Sequence, residues 1–296
     1  MKLAARERLD KLVKLVFRTT GLLVIMILGG ILVMLLWNTF AFFLHVKPVD
    51  FVTGTQWNPV GHKARYGMLP LLVSTALVTL GAMAIAIPLG IGTAAFISEY
   101  AGKKLRNILK PLIEMLAAVP SVAIGFLGIV IVGPGIASIT NQANGLNALN
   151  GAILLAIMAL PTIITVTEDA LQALPQTYRE ASYGVGASRW QTVRKVVIPA
   201  AAPGIIAAVM LGAGRAIGET MTVLMATGNA SAFPKGFFHS VRTITATIAI
   251  EMGEVPYQTT HYYALFAIAA VLFLITLLVN LAGEYFVNRY RKYQVA

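Results

Sequence analysis

The segment TYREASYGVGASRWQTVRKVVIP, residues 177–199, is a polar, basic stretch between two long apolar runs. Thr177 and Glu180 have the three-residue spacing of a capping box, in which two side chains satisfy backbone N–H groups at a helix N-terminus. A short helix is therefore predicted to begin at Thr177. Gly186 is predicted to end it, since glycine is favoured just beyond a helix C-terminus.

The second half of this segment predicts another short helix. Ser188 and Gln191 repeat the capping-box spacing, and Pro199 is predicted to end the helix because proline lacks a backbone N–H. Arg189 and Trp190 lie in the first turn, where an exposed tryptophan is a plausible anchor for a partner. Two short helices joined at a glycine indicate a docking surface, and an ordinary solvated loop is the alternative.

Composition places the chain in a membrane. Of its 296 residues, 57% are hydrophobic and only 12% are charged, and the mean hydropathy is +0.77; a soluble domain has roughly 25% charged residues. The absence of cysteine excludes disulfides and thiolate metal sites, and the four histidines lack a ligand spacing, so no metal site is predicted. The sequence contains no phosphate-binding loop with its lysine, so neither nucleotide binding nor catalytic residues are expected in this chain.

The apolar runs predict an all-α, polytopic membrane protein with six transmembrane helices. The predicted order is a cytoplasmic basic N-terminus (1–18), a first transmembrane helix (19–45), an external loop (46–67), a core domain with five transmembrane helices (68–284) and a cytoplasmic tail (285–296). The core contains a cytoplasmic loop at 175–199 and an external loop at 228–261. Its second helix is predicted to begin near Pro111 and its fourth to span 203–226. The partly apolar stretch 241–250 is predicted to lie in the interface or dip into the membrane.

The distribution of basic residues tests this topology. With the N-terminus inside, 17 of the 23 Lys and Arg residues fall in cytoplasmic segments and five in external ones, while Arg215 lies within a span. This asymmetry follows the positive-inside rule and accounts for the net charge of +11 without nucleic acid. The docking segment is therefore expected to face the cytoplasm.

Arg215 and Glu219 are the charged residues of the fifth apolar run, in the sequence GAGRAIGETM. Counted from Pro203, Arg215 lies roughly 18 Å along a helix, near the bilayer midplane. A charge there costs at least about 2.5 kcal/mol and marks a substrate path or a buried partner. The spacing predicts that the two side chains share a helix face and can pair, and Gly214 with Gly218 is predicted to admit another helix nearby.

The chemistry of this pair constrains a ligand. An arginine fork binds two oxygens of an oxyanion, whereas a carboxylate repels a fully ionised anion. Phosphate retains O–H donors that Glu219 can accept, and sulfate has none at neutral pH. Arg215 and Glu219 are therefore candidate phosphate-path residues, and mutual neutralisation between packed helices is the alternative interpretation.

Other polar residues are weaker candidates. Arg242 and Thr243, in the long external loop, are considered for an aqueous path, although a structural role is the more ordinary one. Glu251 is expected to be solvated. Trp57 is interpreted as an interfacial anchor, since tryptophan is enriched at membrane surfaces.

The docking segment resembles the cytoplasmic EAA loop of permease subunits of binding-protein-dependent ABC importers. The family pattern is EAA, three residues, G, nine residues and I-x-L-P, and the match here is Glu180-Ala181-Ser182, Gly186 and Val196-x-Ile198-Pro199. The resemblance implies a type I ABC importer permease fold, in which the acidic short helix inserts into a cleft of an ATPase subunit. The implied coupling residues are Glu180, Ala181, Ser182, Gly186, Arg189, Trp190 and Pro199.

Within that superfamily the chain is similar to the permeases of Pst phosphate importers. The similar stretches are LAAVPSVAIGFLGIVIVGP (116–134), GRAIGETMTVLMATGN (214–229) and VRTITATIAIEMGE (241–254), and they favour the PstC type over PstA. The resemblance implies a bacterial or archaeal inner membrane location with a PstA-like second permease, a homodimeric PstB-like ATPase and a PstS-like phosphate-binding protein. ATP and Mg would bind to the ATPase subunit, with no cofactor in this chain.

Two alternatives remain open from the residues alone. A permease for molybdate, tungstate or sulfate would share the cytoplasmic loop without needing the Arg-Glu pair. An ion-coupled secondary carrier would need no ATPase, but such a carrier has no evident use for a paired-helix docking segment.

Overall fold

The computed structural model describes the backbone of residues 2–295 and the side chains of residues 11–289. The helices within this part are α1 (Lys2–Phe43), α2 (Pro48–Thr53), α3 (Leu69–Ala95), α4 (Lys103–Ala117), α5 (Ser121–Leu127), α6 (Gly133–Thr140), α7 (Ala148–Gln172), α8 (Thr177–Gly184), α9 (Arg189–Thr192), α10 (Ile198–Ala200), α11 (Ala202–Gly218), α12 (Met221–Ala226), α13 (Ile244–Glu251) and α14 (Thr260–Val295). The side chains of 1–10 in the predicted N-terminus and 290–296 in the predicted tail lie outside the described residues.

Short elements connect these helices. Three π-helical turns continue α3, α5 and α9, and they are Phe96–Tyr100, Gly128–Val132 and Val193–Val197. A two-stranded antiparallel sheet pairs β1 (Trp57–Asn58) with β2 (Arg65–Tyr66) in the loop after α2.

The predicted all-α membrane architecture is confirmed. Within residues 2–295, five helical stretches are long and apolar enough to span a membrane, namely Lys11–Phe43, Leu69–Tyr100, Ser121–Thr140, Ala148–Gln172 and Thr260–Arg289. A sixth candidate is the pair Arg189–Ala200 and Ala202–Gly218, which bends by 71°. Pro199 and Pro203 flank this bend, where missing N–H groups weaken the continuous helical ladder.

The third span begins later than predicted. Pro111 lies inside α4, which is a separate helix that ends at Ala117. The span starts at Ser121, directly after Pro120 in an extended conformation (φ −58°, ψ 136°). The prediction failed because the apolar residues of α4 belong to an amphipathic helix and not to the span that follows it.

The core is built on close contact between α3, α7 and α11. Ile163 of α7 is fully buried between two glycines on the neighbouring helices. A Cβ atom on Gly90 would lie 2.6 Å from Ile163 Cγ2, and one on Gly212 would lie 2.7 Å from its Cγ1. Small residues thus let these three helix backbones approach, as is common between membrane helices.

Helix α1 stands apart from this core. Most of its side chains are exposed, and Phe17 and Trp37 are 73% and 74% exposed. It meets the rest of the chain near its end, where Thr39 Oγ1 donates a 3.3 Å hydrogen bond to the Phe266 carbonyl and Phe42 packs edge-on against Phe51. An apolar helix exposed in this way requires lipid or another subunit around it.

The glycine packing can be tested by Gly90→Val. Insertion of a branched side chain against Ile163 is expected to lower the melting temperature in detergent, since overpacking costs about 1–3 kcal/mol. Gly92→Val is the matched control, because a Cβ on Gly92 in the same helix meets nothing within 4 Å.

A second change distinguishes overpacking from loss of glycine itself. Ile163→Ala in the Gly90→Val background is expected to recover part of the lost stability, because the shorter side chain vacates the space that valine needs. Equal melting temperatures for Gly90→Val and Gly92→Val would contradict the packing described here.

Candidate functional site

The first half of the docking segment forms α8, but its start differs from the prediction. Gln176, the residue before the helix, is already helical (φ −61°, ψ −27°), and its carbonyl accepts from the Arg179 and Glu180 N–H groups. Thr177 is therefore inside the first turn and not in the extended conformation that a capping residue adopts. The predicted capping box of Thr177 and Glu180 is wrong for this reason.

The end of α8 and the start of α9 agree with the prediction. Gly186 adopts φ +81°, and the N–H groups of Gly186 and Ala187 donate to the carbonyls of Tyr183 and Ser182. This is a Schellman motif, and its left-handed position strongly favours glycine. Ser188 and Gln191 then form the predicted capping box at α9.

The seven predicted coupling residues differ in their exposure to solvent: one is buried and six are exposed. Ser182 is buried, and its hydroxyl lies 2.9 Å from Thr192 Oγ1, which joins α8 to α9. The exposed members are Glu180, Ala181, Gly186, Arg189, Trp190 and Pro199. They form a surface that a partner can reach, and its role in coupling stays a prediction.

A buried ion pair fixes α8 to the end of α3. Arg179 Nη2 lies 2.6 Å from Glu99 Oε1, and Arg179 Nε is 3.1 Å from Glu99 Oε2. The two side chains are only 10% and 6% exposed. Arg179 also donates to the carbonyls of Leu171 and Leu174 at 2.9 and 3.3 Å. Each of its three guanidinium nitrogens therefore donates at least one hydrogen bond within the protein. Hydrogen bonding to Glu99 raises the pKa of Arg179 above its ordinary value.

Arg189 reinforces the same junction. Its guanidinium donates to the Glu99 carbonyl and lies over the Tyr100 ring, 4.7 Å from the centroid. Both halves of the docking segment therefore contact the π-helical turn at the end of the second span. The sequence gives one signal for this contact, since Glu99 is the first charge after a long charge-free run, but it does not reveal the partner.

A second ion cluster holds α4 against the end of α7. Glu168 is 2% exposed, and its carboxylate lies 2.7 Å from Arg106 Nη2 and 2.8 Å from Lys110 Nζ. Lys110 also lies 3.0 Å from Asp169 Oδ1. The hydrogen bond to Glu168 raises the pKa of Lys110, so this amine stays charged at neutral pH.

The predicted pair Arg215 and Glu219 does not share a helix. Helix α11 ends at Gly218, and Glu219 is extended (φ −68°, ψ 134°). Arg215 Nη1 lies 3.4 Å from Thr162 Oγ1, whereas Glu219 Oε1 accepts from the Thr222 N–H at 3.3 Å. The expected i, i+4 placement is wrong because the chain breaks at glycine and the carboxylate caps α12 instead.

This break lies beside the predicted external loop. Thr245 Oγ1 donates to the Glu219 carbonyl at 2.8 Å and lies 3.1 Å from Thr243 Oγ1. Thr243 is 3% exposed and caps α13 by accepting from the Ala246 N–H. The predicted helix within 241–250 therefore exists, and its first turn is buried in the protein at the level of the break.

Arg242 belongs to a different cluster, centred on Glu251. Glu251 is only 13% exposed at its side chain, and it lies 3.0 Å from Arg242 Nη1 and 2.8 Å from His261 Nε2. Trp57 Nε1 donates to both carboxylate oxygens at 3.1 Å and is 3% exposed. Glu251 is thus not solvated and Trp57 is not an interfacial anchor. Arg242 as a path residue stays a prediction.

The setting of Arg215 indicates what it can do. Its side chain is exposed although it lies on an apolar helix, and its contact within the described chain is a hydroxyl group. A guanidinium in that position cannot face hydrocarbon without a large cost. It must therefore face a water-filled path or a second protein, and its role in binding an anion stays a prediction.

Removal of one charge from the Glu99–Arg179 pair is expected to loosen α8. Glu99→Gln leaves the buried guanidinium without its counter-charge, a change that costs about 3–5 kcal/mol in comparable cases. This loosening of α8 should appear as faster amide hydrogen exchange across residues 177–184. Glu114→Gln, at an exposed position of α4, is the matched control.

The double variant Glu99→Gln/Arg179→Gln is expected to exchange more slowly than Glu99→Gln alone. It removes both buried charges, so no uncompensated ion remains. Unchanged protection of α8 in Glu99→Gln would contradict an anchoring role for the pair.

Comparison with known proteins agrees with this architecture. The family model "Binding-protein-dependent transport system inner membrane component" matches residues 86–292. The "Probable ABC transporter permease protein YqgH" of Bacillus subtilis is 39% identical over 244 residues, which cover 82% of this chain and 79% of that protein. The "Phosphate transport system permease protein PstC" of Mesorhizobium japonicum is 34% identical over 297 residues, covering 92% and 88%.

A solved structure gives the same fold. It is a bacterial ABC transporter involved in the import of the acidic polysaccharide alginate, with a TM-score of 0.61 and 15% identity, covering 92% of this chain and 96% of that one. At this identity the likeness concerns the fold alone. The family match over residues 86–292 shows that this chain belongs to the binding-protein-dependent transport system inner membrane component family, and its fold is that of a type I ABC importer permease.

Proposed function

We propose that this chain is the membrane-spanning permease of an ATP-driven importer of inorganic phosphate. The observation that carries the proposal is similarity along nearly the whole chain to a protein named as a phosphate transport permease. The position of Arg215 supports it, because an exposed guanidinium on a membrane helix suits an oxyanion in transit. The carboxylate of Glu219, close by in sequence at the end of that helix, favours an anion that carries its own protons.

The importer would be completed by other subunits. A second, PstA-like permease would cover the exposed faces of α1 and α11, and a homodimeric PstB-like ATPase would bind ATP and Mg and dock on the exposed surface of α8 and α9. A PstS-like binding protein would deliver phosphate from outside. In this arrangement the chain itself catalyses no reaction, and both termini lie in the cytoplasm of a bacterial or archaeal cell.

The path would offer phosphate a transient site. Arg215 would bind two phosphate oxygens through its planar fork. Glu219 uses Oε1 to cap α12, and its second carboxylate oxygen would accept an O–H of phosphate. Weak binding suits this step, since the binding protein captures the anion and a tight site in the membrane would slow its release.

Glu219→Gln tests the selectivity of this site. The amide oxygen can still cap α12, but the negative charge that repels sulfate is gone and acceptance of a phosphate proton is weaker. We expect the preference for phosphate over sulfate to fall by about tenfold, the effect of losing one charge-assisted hydrogen bond. The measurement is labelled phosphate uptake into proteoliposomes that hold the complete transporter, with sulfate as competitor.

A variant of Arg215 tests the proposed path itself, and a variant of Arg65 is its control. Arg215→Ala is expected to abolish uptake, while Arg65→Ala, at an exposed external position, should leave it intact. Equal losses for phosphate and sulfate in Glu219→Gln would overturn the proposed role of the carboxylate. Normal uptake in Arg215→Ala would overturn the proposed path.

Glu180→Lys tests the docking surface. The exposed carboxylate is expected to meet the ATPase cleft, so charge reversal should release the ATPase subunit during purification and stop ATP-dependent uptake. The control is Glu114→Lys, an equal charge reversal at an exposed residue outside the docking segment. Retention of the ATPase and normal uptake in Glu180→Lys would contradict docking through α8.

A further inference from the structure

Helix α4 lies on the outside of the fold between two membrane spans. It follows the span Leu69–Tyr100 and precedes Ser121–Thr140. One face packs inwards, where Leu109 and Ile113 cover the buried cluster that contains Ile164. The Glu168 ion pairs described above hold the same face. The helix is therefore fixed between the ends of these two spans, on the side of the fold where α8 and α9 lie.

A second face of α4 is apolar and exposed. Its members are Leu105, Ile108, Leu112, Met115 and Leu116, and they are between 39% and 67% exposed. Their spacing places them on one stripe of a helix. Five large apolar side chains in one stripe beside two spans would be costly in water, which indicates an apolar environment around them.

A third face of α4 is basic at its N-terminal end. The helix begins with Lys103 and Lys104, both exposed, at the end where the helix dipole is positive and cations are disfavoured. A shallow cavity of about 390 Å³ extends from Lys103 past Arg106 and Asn107 to Lys110 and Glu114. Two lysines at this end of a helix are better stabilised when an anion lies beside them.

We propose that α4 is an interfacial helix that binds anionic phospholipid. The apolar stripe lies among acyl chains, and Lys103 and Lys104 bind the phosphate of the headgroup. Charge complementarity favours a lipid over a second subunit, because Lys104 borders the apolar stripe and Lys103 lies in the same N-terminal turn, as headgroups adjoin acyl chains. The inference concerns a lipid site and does not depend on what the protein transports.

The lack of native cysteine makes the test direct. Ile108→Cys in the full chain carries a fluorophore in nanodiscs that contain doxyl-labelled phosphatidylglycerol or phosphatidylcholine. The label is expected to be quenched by doxyl lipid and protected from aqueous iodide. Asn107→Cys, the neighbouring residue on the polar face, is the matched control and should show the opposite pattern.

Charge selectivity is measured in the same experiment. Quenching at position 108 is expected to favour phosphatidylglycerol, and Lys103→Gln/Lys104→Gln should reduce that preference about 25-fold, since each lysine near a membrane changes lipid affinity roughly fivefold. Lys63→Gln/Arg65→Gln removes the same charge from the other side of the membrane and should not alter it.

Three outcomes would overturn the proposal. Iodide quenching of the Ile108→Cys label would place the stripe in water. Equal quenching by both lipids would remove the anionic selectivity. Protection that occurs only when the partner subunits are present would show that a subunit covers the stripe. Because the assay measures no transport, a failure of the phosphate proposal leaves its result unaffected.

Discussion

The buried ion pair between Glu99 and Arg179 is the central contact between the docking segment and the end of the second span, and Arg189 adds to it at the same turn. Two charges removed from water are stable only when they are paired and hydrogen-bonded, and this requirement fixes their geometry closely. Arg179 precedes the exposed Glu180, while Glu99 ends the second span. The pair therefore joins α8 to the end of α3, and α3 packs directly against α7 and α11, where Arg215 lies.

Much of this architecture was predictable because it depends on local properties of the sequence. Apolar runs specify spans, and the positions of Gly186, Ser188 and Gln191 specify a helix end and a helix start. Each of these features is decided by residues within one or two turns. The same reasoning failed at Thr177, because the preceding residue Gln176 is already helical. It also failed at Pro111, because the apolar residues there belong to the amphipathic helix α4, which ends before the span begins.

The candidate site was less predictable because its contacts join distant parts of the chain. Glu99 and Arg179 are 80 residues apart, and Trp57 and Glu251 are 194 apart. A carboxylate in a polar loop has the same local sequence whether it is solvated or surrounded by donors, so Glu251 could not be assigned. The charges of Arg215 and Glu219 stand out in an apolar run, so the sequence identified both residues. Their geometry depends on the helix break at Gly218, where Glu219 bonds to Thr222 and to the distant Thr245.

The arginines of this chain serve different purposes according to what surrounds them. Arg179 has a carboxylate and two carbonyls as partners, and Arg242 has a carboxylate and a carbonyl, so both guanidinium groups are held in place by the protein. Arg215 lies beside a hydroxyl at 3.4 Å and remains exposed. A guanidinium fully bound by its own protein stabilises structure, whereas one with open donors attracts an anion. The break at Gly218 contributes to this difference, because Glu219 lies outside α11 and accepts from the Thr222 N–H, so the two side chains are not i, i+4 neighbours on one helix.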